Sequence, residues 1–203
     1  MNLNVFFWIR TVLDVIICSV YGYSFLGSEQ PPNTGDGLIH FYISEASWSN
    51  PILFFHHWDK PFFTLLSSSF AQFGYGGIVF FNCLVFSGIS FYRWKILDHF
   101  QVNKSLSLIF PVLLFSIPDI YETTLSGLTE PLFNLILTAS FFTLIKKRFV
   151  SFAILVSFLP FCRSEGQLVI ILAIAVLAMM KEYKSISILQ LSNICYSWRH
   201  IPR

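Results

Sequence analysis

The stretch GGIVFFNCLVFSGISFY at 76–92 holds no charged side chain, and similar apolar runs recur along the chain. About twenty consecutive apolar residues cross a bilayer as a helix. Backbone polar groups in hydrocarbon are satisfied only within helices or closed barrels. Long apolar runs with short polar breaks therefore point to an α-helical, membrane-embedded architecture. Composition agrees. Of 203 residues, 55% are hydrophobic and 12% charged, about half the charge of an average soluble domain. The 24 Phe, 8 Tyr and 5 Trp suit lipid-facing and interfacial surfaces.

We expect an all-α, polytopic integral membrane protein with a single transmembrane domain over residues 1–203. The spans fall at 5–26, 76–92, 105–121, 131–145, 149–162 and 168–180. The last two are short, and read as tilted spans or as one re-entrant hairpin. Arg10 and Asp14 interrupt the first run, which we read as a retained helix rather than a signal peptide. They share a helix face, as a packing ion pair or as functional charges. Residues 27–75 form a large external loop with short interfacial helices. SEQPPNTGDG is turn chemistry, LIHFYISEASW has helical apolar spacing, and PFFTLLSSSFAQFG starts on Pro61 and ends on Gly74. The tail, 181–203, reads as neither a span nor a domain.

Charge sets the orientation. Arg93, Lys95 and Lys104, then Lys146, Lys147 and Arg148, then Lys181 and Lys184 follow successive apolar runs. The positive-inside rule puts them, and the N-terminus, in the cytoplasm of a multi-pass plasma-membrane protein. The 27–75 loop, Asp119–Glu130 and Arg163–Glu165 then face outward. A net charge of +2 without a long basic run excludes a nucleic-acid partner. Cys18, Cys83, Cys162 and Cys195 are scattered and read as small buried hydrophobes.

The outward segments carry the candidate chemistry. Asp36 lies between two glycines. Against an apolar wall its pKa would rise and it could act as a general base; alternatively it caps the helix starting near Leu38. His40 follows four residues later on the same face, where Asp36 could fix its tautomer or join it on a divalent metal. No His/Asp/Glu set has a recognised metal spacing, so we assign no metal or other cofactor. His56 and His57 are adjacent and point in different directions. Lys60 precedes Pro61 and should be extended; its ammonium binds phosphate as a point charge or snorkels to headgroups. Arg163 and Glu165 interrupt LVSFLPFCRSEGQLVIIL. Arg163 is the preferred phosphate ligand, because a guanidinium meets phosphate bidentately.

Together these features resemble a known family. An external loop with an acidic residue, an interfacial helix, the DKPFF Lys-Pro step and a helix ending in FG come in that order. This resembles the first external loop of the GT-C superfamily of membrane glycosyltransferases, especially its protein O-mannosyltransferase-like branch. SGLTEPLF at 126–133 and CRSEG at 162–166 look like motifs of such enzymes. The resemblance implies transfer of a sugar from a polyprenyl-phosphate donor to an acceptor (lipid, glycan or protein) on the outer face. It gives Asp36 the acceptor hydroxyl, and Arg163 and Lys60 the donor phosphate. Glu130 and Glu165 fall on acidic motif positions without assigned roles, and His40 and His57 are supporting candidates. The family often has Asp-Glu where this chain has Asp36-Gly37. Such enzymes also have more spans and often a C-terminal soluble domain, so the resemblance implies an N-terminal portion or truncated member whose activity is open.

Two other classes compete. A transporter component would show a repeat relating two halves of the chain, and none is visible. A non-catalytic scaffold would scatter Asp36, Lys60 and Arg163. A transferase would gather them in one outward cavity about 10–15 Å across.

Overall fold

The computed structural model describes residues 9, 11–17, 19, 35–56, 60–103, 109, 112–114 and 116–198, with side chains as far as residue 190. Every regular element among them is helical, as the apolar periodicity requires.

Helix α1 (Asp36–Ala46) begins two residues before Leu38, with Gly35 as its N-cap and no side-chain cap. Asp36 is therefore the first residue of the helix and not its cap. A 3-10 turn at Pro51–Phe55 leads toward α2 (Pro61–Ala71). Pro61 opens α2 because its fixed φ suits a first turn, and Lys60 before it is extended at φ −95°, ψ 107°. The two helices meet along small polar residues: Ser44, Thr64, Ser67 and Ser68 are buried. A hydrogen bond of 2.9 Å joins the Ser44 and Ser67 hydroxyls. Small side chains let the backbones come close, and the bond satisfies the buried hydroxyls.

Gly74, at φ +81°, separates α2 from α3 (Tyr75–His99). The 25 residues of α3 reach about 37 Å at 1.5 Å per residue, beyond the roughly 30 Å of a hydrocarbon core. Next come α4 (Pro118–Leu125) and α5 (Glu130–Ile145), bent at 113° to each other. Then follow α6 (Phe149–Phe158), a 3-10 turn at Leu159–Phe161, α7 (Gly166–Met179) and α8 (Tyr183–Trp198). α3 packs mainly on α5, α5 on α6, and α6 on α8, with α7 against both α6 and α8. Phe63, Ile78, Leu159, Ile170, Leu177 and Leu189 are wholly buried in the shared core.

The six expected spans do not appear as six crossings among the described residues. Among the described residues only α3 is by itself long and apolar enough, and the bent α4–α5 pair qualifies if it counts as one broken span. The expected 131–145 span is α5, 16 residues long, and the 168–180 span is α7, with 14. The 149–162 run divides into the 10-residue α6 and a 3-10 turn. Turns cut each run short of about twenty residues. Of the described residues in the 105–121 run, 109 and 112–114 are helical and α4 starts at Pro118; of those in the 5–26 run, 9, 11–17 and 19 are helical. Asp14 is buried and accepts a 3.0 Å hydrogen bond from the Ser90 hydroxyl; Arg10 lies outside the described residues. The segment read as a tail forms α8, whose Leu189 completes the core.

Candidate functional site

Four helices start around one cavity. Asp36 opens α1, Lys60 immediately precedes α2, Glu130 opens α5, and Glu165 immediately precedes α7. All four line a space of about 250 Å³, together with His40, Leu128, Thr129, Arg163 and Ser164. This is slightly below the roughly 300–1,000 Å³ of pockets for drug-sized ligands, so it has room for a polar headgroup and not for a long lipid chain.

Close backbone approaches bring these segments together. A Cβ on Gly37 would lie 1.7 Å from the Ser126 carbonyl oxygen, so only glycine lets α1 settle on the turn before α5. That turn also uses Gly127 at φ +67°. Asn82, wholly buried in α3, donates from Nδ2 to the Leu128 carbonyl at 3.1 Å and fixes the approach to Glu130. Across the cavity, the amides of Cys162 and Arg163 both donate to the Leu159 carbonyl at 3.0 Å. A Cβ on Gly166 would lie 2.3 Å from the Leu159 carbonyl carbon. The turn bearing Arg163 is thus folded tightly onto the end of α6.

Arg163 is gripped from two sides. Its Nε and Nη2 donate to the two carboxylate oxygens of Glu165 at 3.3 and 2.7 Å, and Nη1 pairs with Glu130 Oε1. The Ser164 hydroxyl adds a 3.4 Å bond to Glu165 Oε2. Hydrogen bonds from Arg163 hold the Glu165 carboxyl down at about 2. The Glu165 hydrogen bonds, followed by the charge of Glu130, hold the guanidinium protonated above its ordinary value despite partial burial. Glu130 Oε2 is buried without a hydrogen-bond partner, and Glu130 also borders a smaller cavity of about 80 Å³.

With His40 neutral, the lining side chains carry a formal charge of −1. The four helix N-termini each add about half a positive charge. The cavity therefore combines carboxylates that can take a proton with backbone dipoles and cations that can hold an anion.

Of the residues expected from sequence, Asp36, His40, Lys60, Glu130, Arg163 and Glu165 meet here. His57 lies outside the described residues. Asp36 is exposed, whereas His40 is buried edge-on to Phe63 at 5.7 Å between ring centroids. Among the described residues no three His, Cys, Asp or Glu side chains are placed to hold a metal ion. Thr129, Ser164 and Asn82 were not expected. Asn82 had one signal, a lone amide in an apolar run, which a buried position must satisfy. Comparisons with family models, curated proteins and solved structures found no match.

Proposed function

We propose that this chain is a membrane glycosyltransferase of the lipid-phosphate-sugar-dependent, inverting kind, working on the outer face of a multi-pass membrane protein. The observation carrying this reading is the gathering of Asp36, Lys60 and Arg163 around one cavity. A scaffold has no use for that convergence. Asp36 accepts the proton of the acceptor hydroxyl as its oxygen attacks the anomeric carbon. The anomeric C–O bond breaks, and the electron pair leaves with the polyprenyl phosphate, whose charge Arg163, Lys60 and the helix N-termini stabilise. An exposed carboxylate on the rim can reach an acceptor that arrives from water.

The surface supports the lipid side of the reading. Phe80 and Leu84 on α3 and Leu168, Ile171 and Leu172 on α7 are exposed apolar side chains, suited to acyl chains and to the prenyl tail that a 250 Å³ cavity leaves outside. The test uses membranes carrying the protein and a polyprenyl-phosphate hexose labelled in the sugar. Wild type should release polyprenyl phosphate and transfer label. Asp36→Asn should lose at least about a hundredfold in rate, the scale of a lost general base, while staying folded. Unchanged transfer by Asp36→Asn, or no turnover of any such donor by wild type, would overturn the proposal.

A further inference from the structure

We propose that the Glu165 carboxylate is the resident anion of the Arg163 site, occupying the guanidinium edge that a prenyl phosphate group takes, as the donor's diester or the released monoester, and that the phosphate enters by displacing it. This rests on the phosphate-binding reading of the cavity and adds how the site is held before the donor arrives.

A guanidinium offers two parallel N–H bonds along its Nε–Nη edge, a geometry that carboxylate and phosphate fit alike. Here that edge is filled, through Nε and Nη2, by Glu165. With Nη1 given to Glu130, an incoming phosphate has no two-point edge until one carboxylate leaves. The two differ in how firmly they are placed. Glu130 belongs to the first turn of α5, is 32% exposed, and has one oxygen wholly enclosed. Glu165 is 53% exposed and two residues from Arg163 in the same turn. The glycine contact that folds this turn involves Gly166 and Leu159 backbone atoms, so the Glu165 side chain can swing into water while the turn stays folded.

Charge points the same way. Adding a phosphate to a lining of formal charge −1 puts like charges side by side, whereas exchanging one anion for another on Arg163 leaves its neutralisation intact. Glu165 then keeps the guanidinium in place at the cavity until the phosphate arrives, and Glu130 holds it while the other edge changes partner. Glu165 is a positioning residue in this scheme and takes no part in bond making.

The experiment measures binding of farnesyl phosphate, farnesol and inorganic phosphate to the purified full chain in detergent, for wild type, Glu165→Gln, Glu165→Ala and Arg163→Ala. Both Glu165 variants should bind farnesyl phosphate about three- to five-fold more tightly, the scale of an exposed ion pair that no longer has to be broken. Inorganic phosphate should gain by the same factor from a weaker baseline, and farnesol should not respond. A gain for farnesol, or for farnesyl phosphate but not inorganic phosphate, would place the effect on the prenyl chain and overturn the exchange. Loss of binding in Arg163→Ala with no gain in either Glu165 variant would overturn the exchange alone. Full farnesyl phosphate binding by Arg163→Ala would overturn the underlying anion site.

Discussion

Arg163 owes its position to partners at two very different sequence distances. Glu165 lies in the same turn, and Glu130 comes from the start of α5. The first has a consequence that acid titration can read. The folded Glu165 carboxyl is held near 2, below its usual 4.5, by hydrogen bonds from Arg163. A depressed carboxylate stabilises the fold above its unfolded pKa, and that contribution disappears as pH falls through the folded value. The window is therefore about pH 4.5 down to about 2. Because Glu165 is half exposed, solvent screening keeps the contribution below about 1 kcal/mol. Thermal midpoints of wild type and Glu165→Gln should differ at pH 6 and converge toward pH 2; a difference that persists at pH 2 would show that the pair is not its source. At this scale the sequence revealed the residue types and little of their pairing. A guanidinium and a carboxylate breaking an apolar run advertise a site, but no spacing rule links residue 163 to residue 130. Asn82 could be recognised as a buried amide needing a partner, while the Leu128 carbonyl it meets belongs to a turn visible only in the fold.

Helix ends account for most of what was legible among the elements. Pro61 opens α2 and Gly74 separates it from α3, both by local backbone preferences that act whatever the tertiary context. The GDG step is a less obvious case. Its two glycines look equivalent in sequence, yet nothing lies within 4 Å of a Cβ on Gly35, whereas one on Gly37 would meet the Ser126 carbonyl oxygen at 1.7 Å. Gly37→Ala should therefore push the first turn of α1 off the turn before α5, destabilising by about 1–3 kcal/mol as overpacking does, and should weaken farnesyl phosphate binding by moving the N-terminus of α1 away from the cavity. Gly35→Ala should cost less than about 1 kcal/mol, the scale of a changed N-cap. Urea denaturation of the two variants checks this, and equal stabilities would refute the close-approach argument. Span boundaries were less legible for the same physical reason. Apolar periodicity reports that a residue is hidden from water and does not say whether lipid or protein hides it. The 168–180 run contains both the wholly buried Leu177 and the exposed Leu172.

That ambiguity reaches the whole molecule through α3. Half of its most apolar window is buried inside the protein, so length and hydropathy fit a core helix as well as a crossing. Charge says which way α3 would cross. Arg93 and Lys95 lie in its last two turns, whereas Glu45 and the cavity residues Asp36, His40 and Lys60 belong to segments before it. If α3 crosses a bilayer, the positive-inside rule puts His99 in the cytoplasm and the cavity outside. Phe80 and Leu84, both exposed, would then meet acyl chains along the first half of the helix. Single cysteines at exposed positions before α3 and in its last turn, in a background with Cys18, Cys83, Cys162 and Cys195 replaced by Ala, test the crossing. Ser49→Cys should react with a membrane-impermeant maleimide in intact cells, and Asp98→Cys only after permeabilisation. Labelling of both only after permeabilisation would make α3 the core helix of a protein that does not cross there. It would also remove the outer-face acceptor from the proposed reaction, since a site with no membrane between it and the cytoplasm would draw on cytoplasmic acceptors instead.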